Sequence, residues 1–142
     1  MIDTQGNFYL GRIFDTETGK TTDQAYLYEP DDLTTHAFVV GMTGSGKTGL
    51  CIDLLEEAAL NGIPSLMIDP KGDITNALLH FPELQPADFQ PWVNADQARR
   101  SGQTIEEAAQ EAAESWRNGL ASWDITPERL RALEKSVHFA IY

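Results

Sequence analysis

Ala37-Phe38-Val39-Val40-Gly41-Met42-Thr43-Gly44-Ser45-Gly46-Lys47-Thr48-Gly49-Leu50 decides the fold. Four apolar residues run into a glycine-rich loop, as a buried strand of a parallel sheet does. After the loop, Leu50, Leu54, Leu55, Ala58 and Ala59 recur at helical spacing, and Asn61-Gly62 supplies a stop. Pro64 then opens Ser65-Leu66-Met67-Ile68, a second apolar strand ending on Asp69. Strand, helix, strand is the right-handed βαβ unit with parallel strands. The expected fold class is therefore α/β, with a P-loop NTPase core.

Gly-x-x-x-x-Gly-Lys-Thr between a strand and a helix is the context in which such a loop binds phosphate. A triphosphate is heavily anionic, and the loop answers it with inward main-chain N–H groups and the positive end of the next helix. Gly41, Gly44 and Gly46 permit backbone angles and close approach that a Cβ would block. Thr43, Ser45 and Gly49 are expected to contribute main-chain amides. Lys47 reaches the β- and γ-phosphates and is the catalytic candidate, while the Thr48 hydroxyl is a ligand for Mg²⁺. The expected cofactors are ATP and Mg²⁺.

Asp69-Pro70-Lys71-Gly72-Asp73 lies at the C-terminal end of the second strand, where open α/β sheets bind ligands. Asp69 has three readings. It is a Mg²⁺-associated carboxylate in an Asp-x-x-Gly segment of GTPase type; or it belongs to an ATPase whose metal-linked carboxylate lies on a later strand; or it caps a turn before Pro70. The GTPase reading lacks an Asn-Lys-x-Asp segment for guanine.

Outward from this core, Phe8 to Phe14 and Gln24 to Glu29 read as two strands around the turn Asp15 to Lys20. Residues 1–32 are thus a small β element, 33–82 the nucleotide-binding core and 83–142 a helical segment. Short helices are expected around Thr75 to Leu79 and Asn94 to Arg100. Thr104 and Glu107 form a capping box ahead of an apolar stripe of Ile105, Ala108, Ala109, Ala112 and Trp116, closed by Asn118-Gly119. Thr126 caps a last helix with Pro127 in its first turn and Leu130, Leu133 and Val137 on one face. The apolar ending Phe139-Ala140-Ile141-Tyr142 carries no terminating signal, so the sequence reads as the N-terminal part of a longer chain.

A net charge of −12 argues against a general nucleic-acid-coating surface, though not against a local basic stripe or a channel formed by assembled copies. Glu106, Glu107, Glu111 and Glu114 read as a solvated helix face. The single cysteine, Cys51, rules out an internal disulfide and fits a reducing, cytoplasmic setting. No apolar run is long enough to span a membrane, and Met1-Ile2-Asp3-Thr4 lacks the regions of a signal peptide.

At Leu33-Thr34-Thr35-His36, the glycine loop and Asp69 to Asp73, the sequence resembles the HerA/FtsK branch of P-loop ATPases. The likeness is specific from Leu33 to Leu79 and looser at Leu10-Gly11-Arg12, which resembles the small N-terminal β-structure of that branch. It implies a RecA/HerA-like parallel sheet and a homo-oligomer, a hexameric ring, that moves DNA with ATP as a translocase or helicase, often beside a nuclease partner. Three other functions stay open: a nucleotide-dependent assembly module, a GTPase-type switch using Asp69 to Gly72, or a metabolic kinase, which would need a phosphate-acceptor site that the sequence does not display. The resemblance also implies a later apolar run ending in Asp-Glu, which is absent here, and an arginine finger, for which Arg99, Arg100 and Arg117 have no motif. Glu56 and Glu57 are expected to face solvent, so binding with little hydrolysis is expected of this stretch alone.

His36 is open to a nucleotide, subunit or surface role. His80 and His138 have no partners at zinc-ligand spacing. Cys51 reads as packing, and Trp92, Trp116 and Trp123 as core or interface residues.

Overall fold

The computed structural model describes residues 3–141, the side chain of Asn76 excepted. The leader reading at Met1 and Ile2, and Tyr142 of the C-terminal reading, lie outside the described residues. The described residues divide into two compact units, one of residues 3–79 with 132–141, the other of residues 80–131.

The first unit begins with the expected hairpin. Strand β1 (Phe8–Asp15) pairs antiparallel with β2 (Lys20–Tyr28), Phe8 opposite Tyr28 and Asp15 opposite Lys20. Asp15 shapes the turn: its carboxylate accepts the Thr18 hydroxyl at 2.7 Å and the main-chain N–H groups of Glu17 and Thr18. The Thr18 hydroxyl above all, and then those amides, hold its pKa below the usual value. A short 3₁₀ turn, Pro30–Thr34, leads to the glycine loop. Helix α1 (Lys47–Leu60) follows, carrying the expected apolar spacing from Leu50 to Ala59 and ending at the expected Asn61-Gly62 stop. Its end is a Schellman motif, the Ile63 N–H donating to the Ala58 carbonyl at 2.8 Å and the Gly62 N–H to Ala59.

Ala37–Val40 and Ser65–Ile68 depart from expectation. The sheet of the described residues has two strands, β1 and β2, and neither segment joins it or the other in a ladder. An apolar run specifies burial, whereas a strand also needs a neighbour that takes up its main-chain groups. The two segments nevertheless alternate as strands do: Val39 and Met67 are half-buried, while Phe38 is 91% exposed and Leu66 89%.

In the second unit, α2 (Pro86–Phe89), α3 (Ala95–Arg100) and α4 (Ile105–Ser122) surround a core of Leu84, Phe89, Ala109 and Ala113, with the Phe81 ring tilted 55° against Phe89 at a 5.0 Å centroid separation. Asn94 caps α3 by accepting from the Asp96 and Gln97 amides. The Thr104–Glu107 capping box is present in both directions, at 3.1 and 2.8 Å. Glu106, Glu107, Glu111 and Glu114 are all exposed, as a solvated face requires.

Two expectations in this part of the chain need correction. The helix does not stop at Asn118-Gly119; it runs to Ser122 and closes on Asp124, which takes the left-handed φ of 60° while the Ile125 N–H reaches the Leu120 carbonyl. An aspartate tolerates that conformation, and the motif's geometry rather than the nearest glycine sets the end. Of the core-or-interface reading of the tryptophans, the core part does not hold: Trp92, Trp116 and Trp123 are 61%, 57% and 42% exposed. Along α4, Ala109 and Ala113 are buried and Ala112 and Leu120 pack against their core, whereas Trp116 does not join it. A last helix, α5 (Pro127–Ser136), starts after Thr126 with Pro127 in its first turn; its Leu133 is buried and Leu130 packs on the core of the second unit.

Candidate phosphate-binding loop

The loop from Gly41 to Gly46 is organised by its own main chain. The Ser45 N–H donates to the Met42 carbonyl at 3.2 Å, and the Lys47 ammonium donates to the same oxygen at 2.6 Å. Gly44 and Gly46 hold φ of 79° and 89°, the left-handed region in which a Cβ is strained. Gly46 is the N-cap of α1, and the Leu50 N–H closes the first helical bond on its carbonyl at 2.9 Å. At Gly41 a Cβ would lie 2.5 Å from the Ser45 Oγ, so the loop turns back on itself there and an added side chain would require the Ser45 hydroxyl to rotate away. Thr43, Thr48 and Gly49 are exposed beside it, and Lys47 is half-buried. The result is a cradle of backbone at the positive end of a 14-residue helix, with one ammonium inside it. That arrangement suits a polyanion held by amides and a cation.

Asp69 is bonded to its own turn. Its Oδ1 accepts the Gly72 N–H and its Oδ2 the Ile74 N–H, both at 2.8 Å. Desolvation pushes the carboxyl pKa up, but the amides of Ile74, Gly72, Asp73 and Lys71 together outweigh it and hold the pKa below the usual value. Of the three sequence readings, the turn cap describes these bonds. Each oxygen keeps a further lone pair, so a hydrated cation is compatible with them. Lys71 is paired with Asp73, whose carboxylate is the leading cause of its raised pKa. Lys47, Met42 and Ser45 are thus brought together, while the acidic segment organises itself.

Glu57 corrects another expectation. It does not face solvent: it is 3% exposed, and its Oε2 accepts the Tyr9 N–H of β1 at 3.0 Å. Sequence spacing carried no signal of this, since the partner is a main-chain group 48 residues earlier. Cys51 is half-buried, lining with Val39, Leu54 and Met67 an apolar cleft of about 690 Å³, which agrees with a packing role. His36 is exposed, and His138 lines a separate cavity of about 320 Å³ near Gly62. Among the described residues no cluster of three metal-ligating side chains occurs, and no helix is long and apolar enough to cross a membrane.

The family described as "Helicase HerA, central domain" matches residues 8–136 of the chain. A curated relative, "Type 4 coupling protein DotL" of Legionella pneumophila (strain Philadelphia 1), is 36% identical over 67 residues, 47% of this chain. The matched stretch covers 8% of that protein's length. No solved structure matches. The chain belongs to the HerA helicase central-domain family, and with it to the P-loop ATPases.

Proposed function

From that membership we propose that this chain is the ATP-binding portion of a HerA/FtsK-like motor, which in its complete oligomer couples ATP to movement along DNA. The observation that carries the reading is the loop: left-handed Gly44 and Gly46 deliver the chain into α1 with Lys47 inside the cradle. Gly41, Thr43, Gly44, Ser45, Gly46 and Gly49 would hold the phosphates through main-chain amides. Lys47 would exchange the neutral Met42 carbonyl for the anionic β- and γ-oxygens, and the Thr48 hydroxyl would take the Mg²⁺. Asp69 would add a water-bridged contact to that cation without giving up its turn bonds. Bound MgATP would supply the phosphoryl group that the motor's chemistry transfers.

Ala37–Val40 and Ser65–Ile68 are, in this proposal, adjacent parallel strands of a RecA/HerA-like sheet. Their exposed alternate residues Phe38, Val40, Leu66 and Ile68 support it, because a parallel sheet is covered on both faces. A hexameric ring, a nuclease partner and a cytoplasmic site of action belong to the same proposal and rest on family likeness. Hydrolysis needs a carboxylate that orients the attacking water. Glu57 is engaged with β1, so we assign the chain binding with little turnover of its own.

Calorimetry with MgATP and MgGTP on the chain and its Lys47→Ala variant tests the reading. ATP binding that vanishes in the variant is the expected result. A preference for GTP would replace it with a GTPase-type switch, and ATP binding untouched by Lys47→Ala would remove the loop from the site.

A further inference from the structure

Among the described residues Glu57 is the charged side chain that is buried. Burying a carboxylate is costly unless hydrogen bonds replace its water, and an apolar side chain would fill the same space without that cost. What the carboxylate adds is an acceptor, and the donor it meets is the Tyr9 main chain, where β1 begins. Phe8 and Tyr9 are themselves 2% and 3% exposed, and they set the register with Tyr28 and Leu27 of β2. The other end of the same helix starts at Lys47 and Thr48. Ten residues of unbroken α-helix separate Lys47 from Glu57, a rigid rod of about 15 Å.

We infer that Glu57 is a positioning residue that ties the N-terminal hairpin to the phosphate-loop helix, so that nucleotide binding and the order of β1 are linked. This rests on the ATP-binding reading. A ligand that fixes the start of α1 restricts the helix that presents Glu57, which strengthens the bond to Tyr9. By reciprocity, holding Tyr9 favours the ligand-ready placement of α1 by the same factor. The hairpin thereby senses whether the loop is loaded.

Amide hydrogen exchange at Tyr9, with and without MgATP, tests the link, alongside calorimetry on the same samples. In the unmodified chain MgATP should slow Tyr9 exchange by roughly tenfold, within the usual range of coupling between sites. Lys47→Ala should abolish the slowing. Glu57→Gln keeps an acceptor oxygen and should retain most of it. Glu57→Leu should lose it and bind MgATP weaker by a similar factor, while the capping amide of Glu107 in the other unit stays protected. An unmodified chain that binds MgATP with Tyr9 exchange unmoved overturns the link, whatever the variants do. Should Glu57→Leu fold but keep both affinity and slowing, the assignment to Glu57 is overturned. Absence of MgATP binding by the unmodified chain overturns the ATP reading itself and this inference with it.

Discussion

The main-chain N–H of Tyr9 lies 3.0 Å from Oε2 of Glu57, joining the first strand to the last turn of the helix that starts at the glycine loop. Both residues are buried, so removing the acceptor strands a donor away from water. Glu57→Leu is expected to lower stability by about 1–3 kcal/mol, and Glu57→Gln by less, since its amide oxygen still accepts. Chemical denaturation of the three proteins, compared at midpoint and slope, checks the order.

Gly46 holds φ 89° with open space around the position of a Cβ, so alanine there meets backbone strain and no clash. Gly46→Ala should cost about 1–2 kcal/mol of stability and weaken MgATP binding, because relaxing φ re-aims the amides at the start of α1. Thermal unfolding and calorimetry on one preparation separate the two effects. A variant of unchanged stability would show that the loop adopts another φ in solution.

Gly119 gives the opposite sign. It lies inside α4, exposed, with nothing within 4 Å of an added Cβ. Gly119→Ala should stabilise the chain by about 0.5–1 kcal/mol by restricting the unfolded state and favouring helix. If residue 119 ended the helix, the same substitution would destabilise; the sign of the shift in Tm decides between them.

Asp69 predicts a pH response. Its folded pKa is depressed below the ordinary 3.8, so the turn's stabilisation is fully present above 3.8 and is lost as pH falls through the lower folded value. Carboxyl chemical shifts should place the Asp69 midpoint below 3.8, with the Gly72 and Ile74 amide signals moving together through the same range. Asp69→Asn should uncouple one of those amides at neutral pH, because an amide side chain offers a single acceptor oxygen.

Local chemistry was legible in the sequence wherever a feature is closed within a few residues. The hairpin turn at Asp15, the stop of α1 at Asn61-Gly62 and the Thr104–Glu107 box are of this kind. The glycine loop was legible for the same reason, its φ values being demanded by the glycines themselves. What needed a distant partner was not. Glu57 looks like a solvent-facing helix residue until β1 is folded onto α1, and Trp116 belongs to the apolar stripe yet does not join the core that Ala109, Ala113 and Leu120 share. At Ala37–Val40 and Ser65–Ile68 the apolar runs were readable, but the hydrogen-bonded neighbours that make a strand were not.

Those two segments also set how the molecules behave in the tube. Phe38, Val40, Leu66 and Ile68, each at least 86% exposed, make the surface sticky toward copies of itself, while a net charge of −12 keeps the copies apart. The balance lies with ionic strength. At about 0.01 M salt the repulsion reaches some 30 Å, and near 1 M only about 3 Å. Light scattering should therefore report dispersed particles in dilute buffer and clustering as salt is raised, so the choice of buffer decides whether the nucleotide measurements see single chains.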